Sequence, residues 1–278
     1  MKTFTLFSVG ASLLFSRALA GQQTYSMTHN GVEVPVVIKE LPWIDRKLNF
    51  NSSASQSKRD GPISVTTNWA GAIQESPVAG DFHTIIADWR VNGIYPPPGV
   101  GPPTGSDEYF LVEWVGLGSD CGVIFQAGTG QTLTQGGGLQ QFAWWEWFPD
   151  NAIQTINMPI AYMDKFRVKL TATNPSNGKA TGGVVIIENE TQGVTFTLTA
   201  TDHTEVCLNN AEWIVENVRN TAFPWPTFEN VEFTECEAFT TTGAQQGITG
   251  TTAVHGTSID GRTVVSEYQD NEDFYVQP

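Results

Sequence analysis

Two glutamates, Glu212 and Glu216, lie four residues apart in the segment AEWIVE, which is otherwise apolar. Alternate residues of a β-strand face the same side, so Glu212, Ile214 and Glu216 are predicted to share one face. A carboxylate among tryptophan, isoleucine and valine is costly to ionise, and it needs either a polar partner or a role in catalysis. The segment therefore predicts a strand that carries functional carboxylates.

Two further segments carry groups that complement such a carboxylate, Gln126 in VIFQAG and Glu146 in WWEWFP. Hydrolysis of a peptide bond needs an activated water, a stabilised oxyanion and a proton for the leaving amine. One carboxylate can serve as base and then as acid when its pKa lies near the working pH, and the ordinary glutamate value of about 4.3 suits acid solution. A side-chain amide can stabilise the oxyanion, an effect worth about 3–4 kcal/mol in other enzymes. A glutamate and a glutamine are therefore sufficient, without a metal or a cofactor.

The elements that must position these groups are predicted to be short strands. Runs of β-branched and aromatic residues recur between clusters of Gly, Pro, Asn and Ser, and no segment has a convincing helical stripe. This pattern predicts an antiparallel sandwich or barrel, with hairpin turns at 177–178 and 191–193 and a surface loop at the proline-rich segment 95–103. The predicted strands are Thr84–Val91, Tyr109–Gly116, Gly122–Gln126, Phe142–Phe148, Phe166–Thr173, Gly183–Asn189, Val194–Thr199, Glu212–Glu216 and Thr227–Thr234.

Four segments in order resemble the motifs of the glutamic peptidases (eqolisins), the acid endopeptidases of fungi. They are NWAGA at 68–72, IFQAG at 124–128, WWEWFP at 144–149 and AEWIVE at 211–216. The resemblance implies an all-β fold of two curved antiparallel sheets stacked face to face, a concanavalin A-like β-sandwich, with substrate lying across the concave sheet. It also implies an acid endopeptidase that acts on polypeptides, is insensitive to pepstatin and uses no cofactor or metal.

The resemblance also assigns roles to individual residues. Glu216, the second glutamate of AEWIVE, is implied to activate water as general base and then to protonate the leaving nitrogen. Gln126 is implied to hold that water and to donate its amide hydrogen to the oxyanion. The residues expected to bind substrate or to support the site are Trp69, Trp114, Glu146, Phe148 and Glu212.

The chain departs from the family pattern at three positions near these motifs. Gly118 stands where family members carry an aspartate after W-V-G, and Gly130 stands where an aspartate often follows the catalytic glutamine by four positions. Phe148 replaces a tyrosine of W-Y-E-W-Y-P, which removes a hydroxyl that could bond to substrate or water. None of these changes removes the catalytic pair, so we expect them to alter side-chain preference, pH optimum and efficiency.

Three parts of the chain are predicted from its ends and linkers. Residues 1–20 combine Lys2, an apolar run and a small-residue cleavage site, which is typical of a signal peptide and predicts a secreted, extracellular protein. The dibasic pair Lys58-Arg59 ends a polar linker, so we expect residues 21–59 to be a propeptide that is cut off there. Residues 60–278 would then be the catalytic domain, a zymogen-derived enzyme expected to be a monomer.

Charge separates at the same boundary. Residues 21–59 have a net charge of +2, whereas residues 60–278 have a net charge of −19. So acidic a surface argues against nucleic acid and anionic membranes as partners. We expect the cationic propeptide to bind and inhibit the acidic domain. Crowded carboxylates have raised pKa values in the folded state, so we also expect stability in acid that is lost as the pH rises.

The cysteines and glycosylation acceptors complete the predictions. Three cysteines, Cys121, Cys207 and Cys236, suggest one disulfide and one thiol in an oxidising compartment. A Cys121–Cys207 bridge would hold the Gln126 strand and the Glu216 strand beside each other, and the resemblance favours this pairing. The N-glycosylation acceptors are Asn51 and Asn189, of which only Asn189 would remain on the processed protein.

Two other classes of protein remain as alternatives. A glycoside hydrolase on a similar sandwich would use Glu146 and Glu216 as paired carboxylates, but it would leave the glutamine without a clear role. A carbohydrate-binding protein without catalytic activity would use Trp144, Trp145 and Trp147 as a platform for sugar rings. Such a binder would need neither the carboxylate of AEWIVE nor a processing step, which distinguishes it from an enzyme.

Overall fold

A computed structural model describes residues 21–42, 50–56, 61–104, 108–219 and 223–278, with the backbone alone for 50–56. The predicted signal peptide and the predicted cleavage site at Lys58-Arg59 lie outside these residues, and so does the side chain of Asn51. No helix within the described ranges has the length and apolar character needed to cross a bilayer.

The described residues form mainly strands, with two short 3₁₀ turns at Ser119–Cys121 and Gln135–Gly137. The first twelve strands are β1 (Gln22–His29), β2 (Val32–Val34), β3 (Ile38–Glu40), β4 (Phe50–Gln56), β5 (Pro62–Thr66), β6 (Trp69–Glu75), β7 (Phe82–Arg90), β8 (Ile94–Tyr95), β9 (Tyr109–Leu117), β10 (Ile124–Leu133), β11 (Leu139–Phe148) and β12 (Gln154–Ile156). The remaining strands are β13 (Lys165–Thr173), β14 (Lys179–Ala180), β15 (Gly182–Asn189), β16 (Val194–Thr201), β17 (Val206–Cys207), β18 (Asn210–Asn217), β19 (Thr227–Phe228), β20 (Val231–Thr240), β21 (Gln245–Gln246), β22 (Thr252–Thr257), β23 (Thr263–Tyr268) and β24 (Phe274–Gln277).

Two large antiparallel sheets stack against each other. The first has the order β3-β12-β11-β10-β9-β18-β6-β22, with β5 added in parallel to β22 and β4 added to β5. The second has the order β2-β1-β16-β15-β13-β7-β20. Strands β23 and β24 connect the two sheets along one edge, because β23 pairs with β22 and β24 pairs with β20. The predicted all-β sandwich is confirmed.

The burial pattern of the strands shows which of them are covered on both faces. Strand β13 alternates between buried and partly exposed positions, because only one of its faces packs in the core between the sheets. By contrast, β9, β10 and β18 are buried at every position. Their inward residues, such as Phe125 and Trp213, join the core between the sheets. Their other side chains lie on the opposite face of the first sheet. This face points away from the second sheet and carries a second apolar cluster.

We call this face the outer face, and its apolar residues the outer-face cluster. The cluster is a layer of large side chains that covers the middle strands of the first sheet. Its buried members are Trp69, Ile73, Phe110, Val112, Trp114, Ile124, Trp144, Ile153, Ile214, Val218 and Val254. This layer explains why the glutamates of AEWIVE are buried and not at a solvated sheet surface.

The structure also tests the predicted turns and the disulfide. Asn177 and Gly178 have φ values of 52° and 74°, as a two-residue hairpin turn requires. The predicted disulfide between Cys121 and Cys207 is present, with a Cα–Cα distance of 6.0 Å. The expectation that it joins two neighbouring strands is wrong, because β9 lies between the Gln126 strand β10 and the Glu216 strand β18. Cys236 is free and buried.

The predicted glycan at Asn189 does not fit the folded chain. The Asn189 side chain is fully buried. Its amide nitrogen donates to the carbonyl of Pro159 at 3.1 Å and to Oδ2 of Asp164 at 2.8 Å, and its oxygen accepts the backbone N–H of Gln192 at 3.1 Å. Because every polar atom of the side chain is engaged inside the protein, a sugar on this nitrogen would have to break the local structure.

Candidate active site

Strand register places Gln126 in line with two of the predicted glutamates. Gln126 on β10 pairs with Gly116 on β9, and Gly116 pairs in turn with Glu212 on β18. On its other side, Gln126 pairs with Glu146 on β11. Residues in register across a sheet point to the same face, so these three side chains lie in one row on the outer face.

Glu216 lies on the same face, four residues further along β18 than Glu212. Its partner on β9 is Val112, and Val112 pairs with Gly130 on β10. Glu216 and Gln126 therefore face the same side of one sheet, with one strand between theirs and an offset of four residues along the strands. Trp114 on β9 lies between them, because it pairs with Ile214 on β18 and with Gly128 on β10.

Glu216 is held by two neutral hydrogen-bond donors. The indole Nε1 of Trp114 donates to Oε2 at 3.1 Å, and the amide of Asn68 donates to Oε1 at 3.5 Å. Trp114 is itself fixed by an edge-to-face contact with Trp69, with ring centroids 5.0 Å apart. Only 1% of Glu216 is exposed. These neutral donors orient both oxygens of the carboxylate.

Gln126 makes one strong hydrogen bond and leaves one atom without a partner. Its Nε2 donates to Oε2 of Glu146 at 2.6 Å. Its Oε1 is buried and has no hydrogen-bond partner among the described residues. A buried amide oxygen without a partner is unfavourable by about 1–3 kcal/mol, and such groups are uncommon outside functional sites. Glu146 thus fixes the direction of the amide, while Oε1 and the second N–H remain for a ligand.

Glu212 occupies the end of the row and differs from Glu216 in its surroundings. Its Oε1 accepts the backbone N–H of Ser119 at 3.0 Å, and its Oε2 lies about 3 Å from the position that a Cβ on Gly116 would take. Burial raises the pKa of Glu212 to about 8, the hydrogen bonds from Ser119 oppose this, and the charges of Asp120 and Glu75 add to it. Glu212 is therefore a neutral acid in acid solution, which suits a supporting group rather than a base.

Glu113 is a buried carboxyl that the sequence analysis missed. It lies on β9 but faces the second sheet, and it accepts hydrogen bonds from Thr129 at 2.9 Å and Gln131 at 3.0 Å. Burial raises its pKa to about 7, against the opposing effect of these hydrogen bonds. The signal was available, because Glu113 interrupts the apolar run YFLVEWVGL just as Glu212 and Glu216 interrupt theirs.

The three tryptophans around Glu146 are packing residues. Trp144, Trp145 and Trp147 are each fully buried. The Nε1 of Trp144 donates to the carbonyl of Thr129 at 2.9 Å, while Trp145 and Trp147 belong to the core between the sheets. They offer no exposed platform for sugar rings, which removes the main support for a carbohydrate-binding protein.

Comparison with known proteins identifies the family. Residues 67–277 match the sequence profile of the Peptidase A4 family. This chain belongs to that family, the eqolisins. The A4 family member is 29% identical to Aspergillopepsin-2 of Aspergillus niger over 261 residues, which cover 82% of this chain and 84% of the relative. It is 29% identical to Scytalidopepsin B of Scytalidium lignicola over 248 residues, which cover 80% of this chain and 86% of the relative.

A solved structure supports the fold of this A4 family member. The crystal structure of scytalido-glutamic peptidase with a transition state analog inhibitor aligns with a TM-score of 0.60 and 22% sequence identity. The alignment covers 76% of this chain and 98% of that chain. At 22% identity, this structural similarity shows the sandwich fold alone.

Two departures of this A4 family member from the glutamic peptidase pattern have a structural reason. Gly118 has a φ of 102°, and a Cβ there would lie 2.2 Å from a methyl group of Val206. An aspartate at this position would be strained and would clash. Gly130 has no such strain, but a Cβ there would lie 2.6 Å from the ring of Phe142. Phe148, the third departure, is partly buried and packs against the outer-face cluster.

The segment before the matched region pairs with both sheets. Strand β1 pairs with β16 over eight residues, and β3 pairs with β12 at the edge of the first sheet. Met27 is buried in the core between the sheets, while Leu41 packs against the outer-face cluster. The backbone N–H of Leu41 donates to the carbonyl of Ile153 at 2.9 Å. The predicted propeptide therefore adds strands to both edges of the first sheet, β3 at one edge and β4 at the other, and its Leu41 reaches the face that carries Glu216.

Proposed function

We propose that this A4 peptidase is a secreted acid endopeptidase whose catalytic pair is Glu216 and Gln126. The observation that carries the proposal is the placement of both side chains on the buried outer face, with Oε1 of Gln126 lacking a partner among the described residues. An oriented carboxylate and a directed amide are the two groups that hydrolysis of a peptide bond requires.

The hydrogen bonds of the site support different roles for Glu216 and Gln126. Glu216 takes a proton from the attacking water and later gives it to the leaving nitrogen. Oε1 of Gln126 accepts a hydrogen bond from the same water, and the N–H that is not used by Glu146 donates to the oxyanion. Trp114 keeps the Glu216 carboxylate in one orientation throughout. Glu146 is thus a positioning residue.

The acid working range is supported by Glu113 and Glu212, whose buried side chains are neutral only in acid or near-neutral solution. Insensitivity to pepstatin, an inhibitor of aspartic peptidases, is supported by the sequence, which has no Asp-Thr-Gly or Asp-Ser-Gly segment. The substrates would be polypeptides.

We also propose that residues 21–59 are an inhibitory propeptide, removed after Lys58-Arg59. The proposal is supported by the strand pairing of β1 and β3, by the contact of Leu41 with the outer-face cluster, and by the opposite net charges of the two parts. Such a segment, paired with both edges of the first sheet, blocks the approach to the site until it is released.

The test is cleavage of a denatured protein substrate by the acid-processed chain, with pepstatin present. We expect Glu216→Gln and Gln126→Ala each to lower kcat/KM by at least 100-fold, since each removes a group used in the transition state. The matched control is Glu267→Gln, which changes an exposed glutamate and should leave activity unchanged. Undiminished activity of Glu216→Gln would refute the assignment of the base, and hydrolysis of polysaccharide alone would favour the glycoside hydrolase.

A further inference from the structure

His203, which follows β16, carries a buried polar atom that the candidate active site does not use. Only 5% of the residue is exposed, and its ring stacks on Trp147 with centroids 4.8 Å apart and an interplanar angle of 15°. Its Nε2 is buried and has no hydrogen-bond partner among the described residues. A buried polar atom without a partner is uncommon in folded proteins and points to a group that binds there.

Asp150 determines which ring nitrogen of His203 carries the hydrogen. Nδ1 of His203 lies 3.1 Å from Oδ2 of Asp150, and an ionised carboxylate can only accept. Neutral His203 therefore carries its hydrogen on Nδ1 and leaves the lone pair of Nε2 free to accept. Asp150 is held in turn by the backbone N–H of Thr204 at 2.7 Å and by the hydroxyl of Thr204 at 2.6 Å. Nε2 is thus an oriented acceptor that suits a donor N–H.

The N-terminal segment places Gly21 against this acceptor. Gly21 directly precedes β1, and a Cβ on it would lie 2.5 Å from both Cδ2 and Nε2 of His203. Its Cα therefore lies within about 4 Å of Nε2, and a free amine on Gly21 can reach Nε2 by rotation about one bond. Glycine is needed at this position, because a Cβ would collide with the ring and with the carbonyl oxygen of Thr201.

Gly21 is also the residue that cleavage of the predicted signal peptide would make the first of the chain. Hydrolysis of the peptide bond between Ala20 and Gly21 consumes one water and leaves a carboxylate on Ala20 and an amine on Gly21. With an ordinary pKa of about 7.7–8.0, this amine is an ammonium at neutral pH. An ammonium makes charge-assisted hydrogen bonds, so it is a strong donor for the free lone pair of Nε2.

We propose that His203, oriented by Asp150, is a binding site for the α-ammonium of Gly21, which attaches the N-terminal segment after removal of the signal peptide and releases it in acid. The proposal rests on the proposed secretion and propeptide, and it gives the propeptide a pH-sensitive attachment. Strand β1 begins at Gln22 and pairs with β16 over eight residues. The site therefore secures the end of the strand at which separation from the second sheet would begin.

Acid releases this attachment because protonated His203 cannot accept a hydrogen bond at Nε2. Burial lowers the pKa of His203 from 6.5, and the hydrogen bond and charge of Asp150 and the charge of Asp202 oppose this. These two carboxylates face the ring from the body of the protein, and the Gly21 ammonium faces it from the N-terminal segment. The ammonium disfavours a charged ring, so the pKa of His203 is lower in the attached state than in the released state. The attachment is then fully present above the pKa of the released histidine and is lost as the pH falls below it.

The first test compares two chains that begin at Gly21 and at Ala20, both with Glu216→Gln and Gln126→Ala to prevent self-digestion. The additional alanine converts the Gly21 nitrogen into a peptide N–H and moves the ammonium by one residue. Ring ¹⁵N signals report the tautomer and the titration midpoint, and His203→Gln identifies the His203 signals among those of the four histidines. We expect the His203 midpoint to be lower by at least one pH unit in the chain that begins at Gly21. Equal midpoints in the two chains would overturn the binding site.

The second test follows the opening of β1 by hydrogen exchange of residues 22–29, corrected for the intrinsic effect of pH. In the chain that begins at Gly21, we expect protection to fall between pH 7 and pH 4.5 by at least 10-fold more than it does in the same chain with His203→Gln. Glutamine stays neutral, and its oxygen can still accept from the ammonium in acid. His29→Gln is the matched control, since His29 is exposed at the other end of β1, and it should leave the fall unchanged. An equal fall with His203→Gln would overturn release by His203, and His203→Asn replaces that variant if it does not fold.

Neither measurement needs peptidase activity, so the outcome is independent of the proposed catalysis. N-terminal sequencing of the secreted, uncut chain should give Gly21 as the first residue, and a different first residue would overturn the attachment. If Glu216→Gln and Gln126→Ala leave hydrolysis unchanged while the His203 midpoint depends on the first residue, the catalytic pair is wrong and the binding site for the N-terminus is confirmed.

Discussion

Replacement of Glu113 by glutamine is expected to stabilise the protein above neutral pH. Glu113 is fully buried between the sheets, and its two oxygens accept hydrogen bonds from Thr129 and Gln131. A glutamine of the same shape can accept from Thr129, and it can donate to Oε1 of Gln131, which has no partner among the described residues, once the Gln131 amide turns over so that its oxygen faces position 113. The variant therefore keeps the packing and removes the ionisable group.

The magnitude follows from proton linkage. Burial raises the pKa of Glu113 from 4.5 to about 7, so the folded state binds this proton more tightly than the unfolded state. The resulting stability is fully present below about pH 4.5 and is lost as the pH rises through about 7. A difference of about 2.5 pKa units corresponds to about 3 kcal/mol. For a domain of this size, that is a shift in Tm of roughly 6–12 °C.

The assay is urea unfolding of the full chain at pH 3 and at pH 8, followed by tryptophan fluorescence. We expect Glu113→Gln to match the wild type within about 1 kcal/mol at pH 3 and to exceed it by about 3 kcal/mol at pH 8. Glu267→Gln, at an exposed position, is the control and should change neither value by more than about 0.5 kcal/mol. An equal effect of Glu113→Gln at both pH values would refute the linkage argument, because packing and not ionisation would then be responsible.

Three further predictions concern the site and the scaffold. Gly116→Ala should lower kcat at least 10-fold, because the added Cβ would lie 2.7 Å from the ring of Trp114; an unchanged rate in the peptide assay would contradict this. Removal of the Cys121–Cys207 disulfide by a double Cys→Ala substitution should cost about 4–5 kcal/mol of unfolding free energy, since the bridge closes a loop of 86 residues; urea unfolding measures it. Intact mass of the secreted, processed protein should show no glycan at Asn189, and a glycosylated peptide at that residue would show that its buried hydrogen bonds are dispensable.

The sequence predicted which side chains share a face of the sheet, but it did not predict the order of the strands that carry them. Alternation along β18 correctly placed Glu212 and Glu216 on one face, because side-chain direction in a strand is a local property. The order of strands is not local, so nothing in the segments around Gln126 and Glu216 indicated that β9 separates them. The same limit explains why Glu212, and not Glu216, proved to lie in line with Gln126.

Glu113 lies on the face of the first sheet opposite to the one that carries Glu216 and Gln126. Its side chain faces the second sheet, whereas Glu216 and Gln126 face away from it, although Glu113 directly precedes Trp114, which donates to Glu216. Because the two side chains lie on opposite faces of the sheet, we expect Glu113→Gln to move the alkaline limit of folding without moving the alkaline limit of peptide hydrolysis. The two limits are separated by recording kcat/KM and the midpoint of urea unfolding on the same samples from pH 3 to pH 8. If both profiles move together, unfolding limits the activity of the wild type, and the group that sets the alkaline limit of activity belongs to the core.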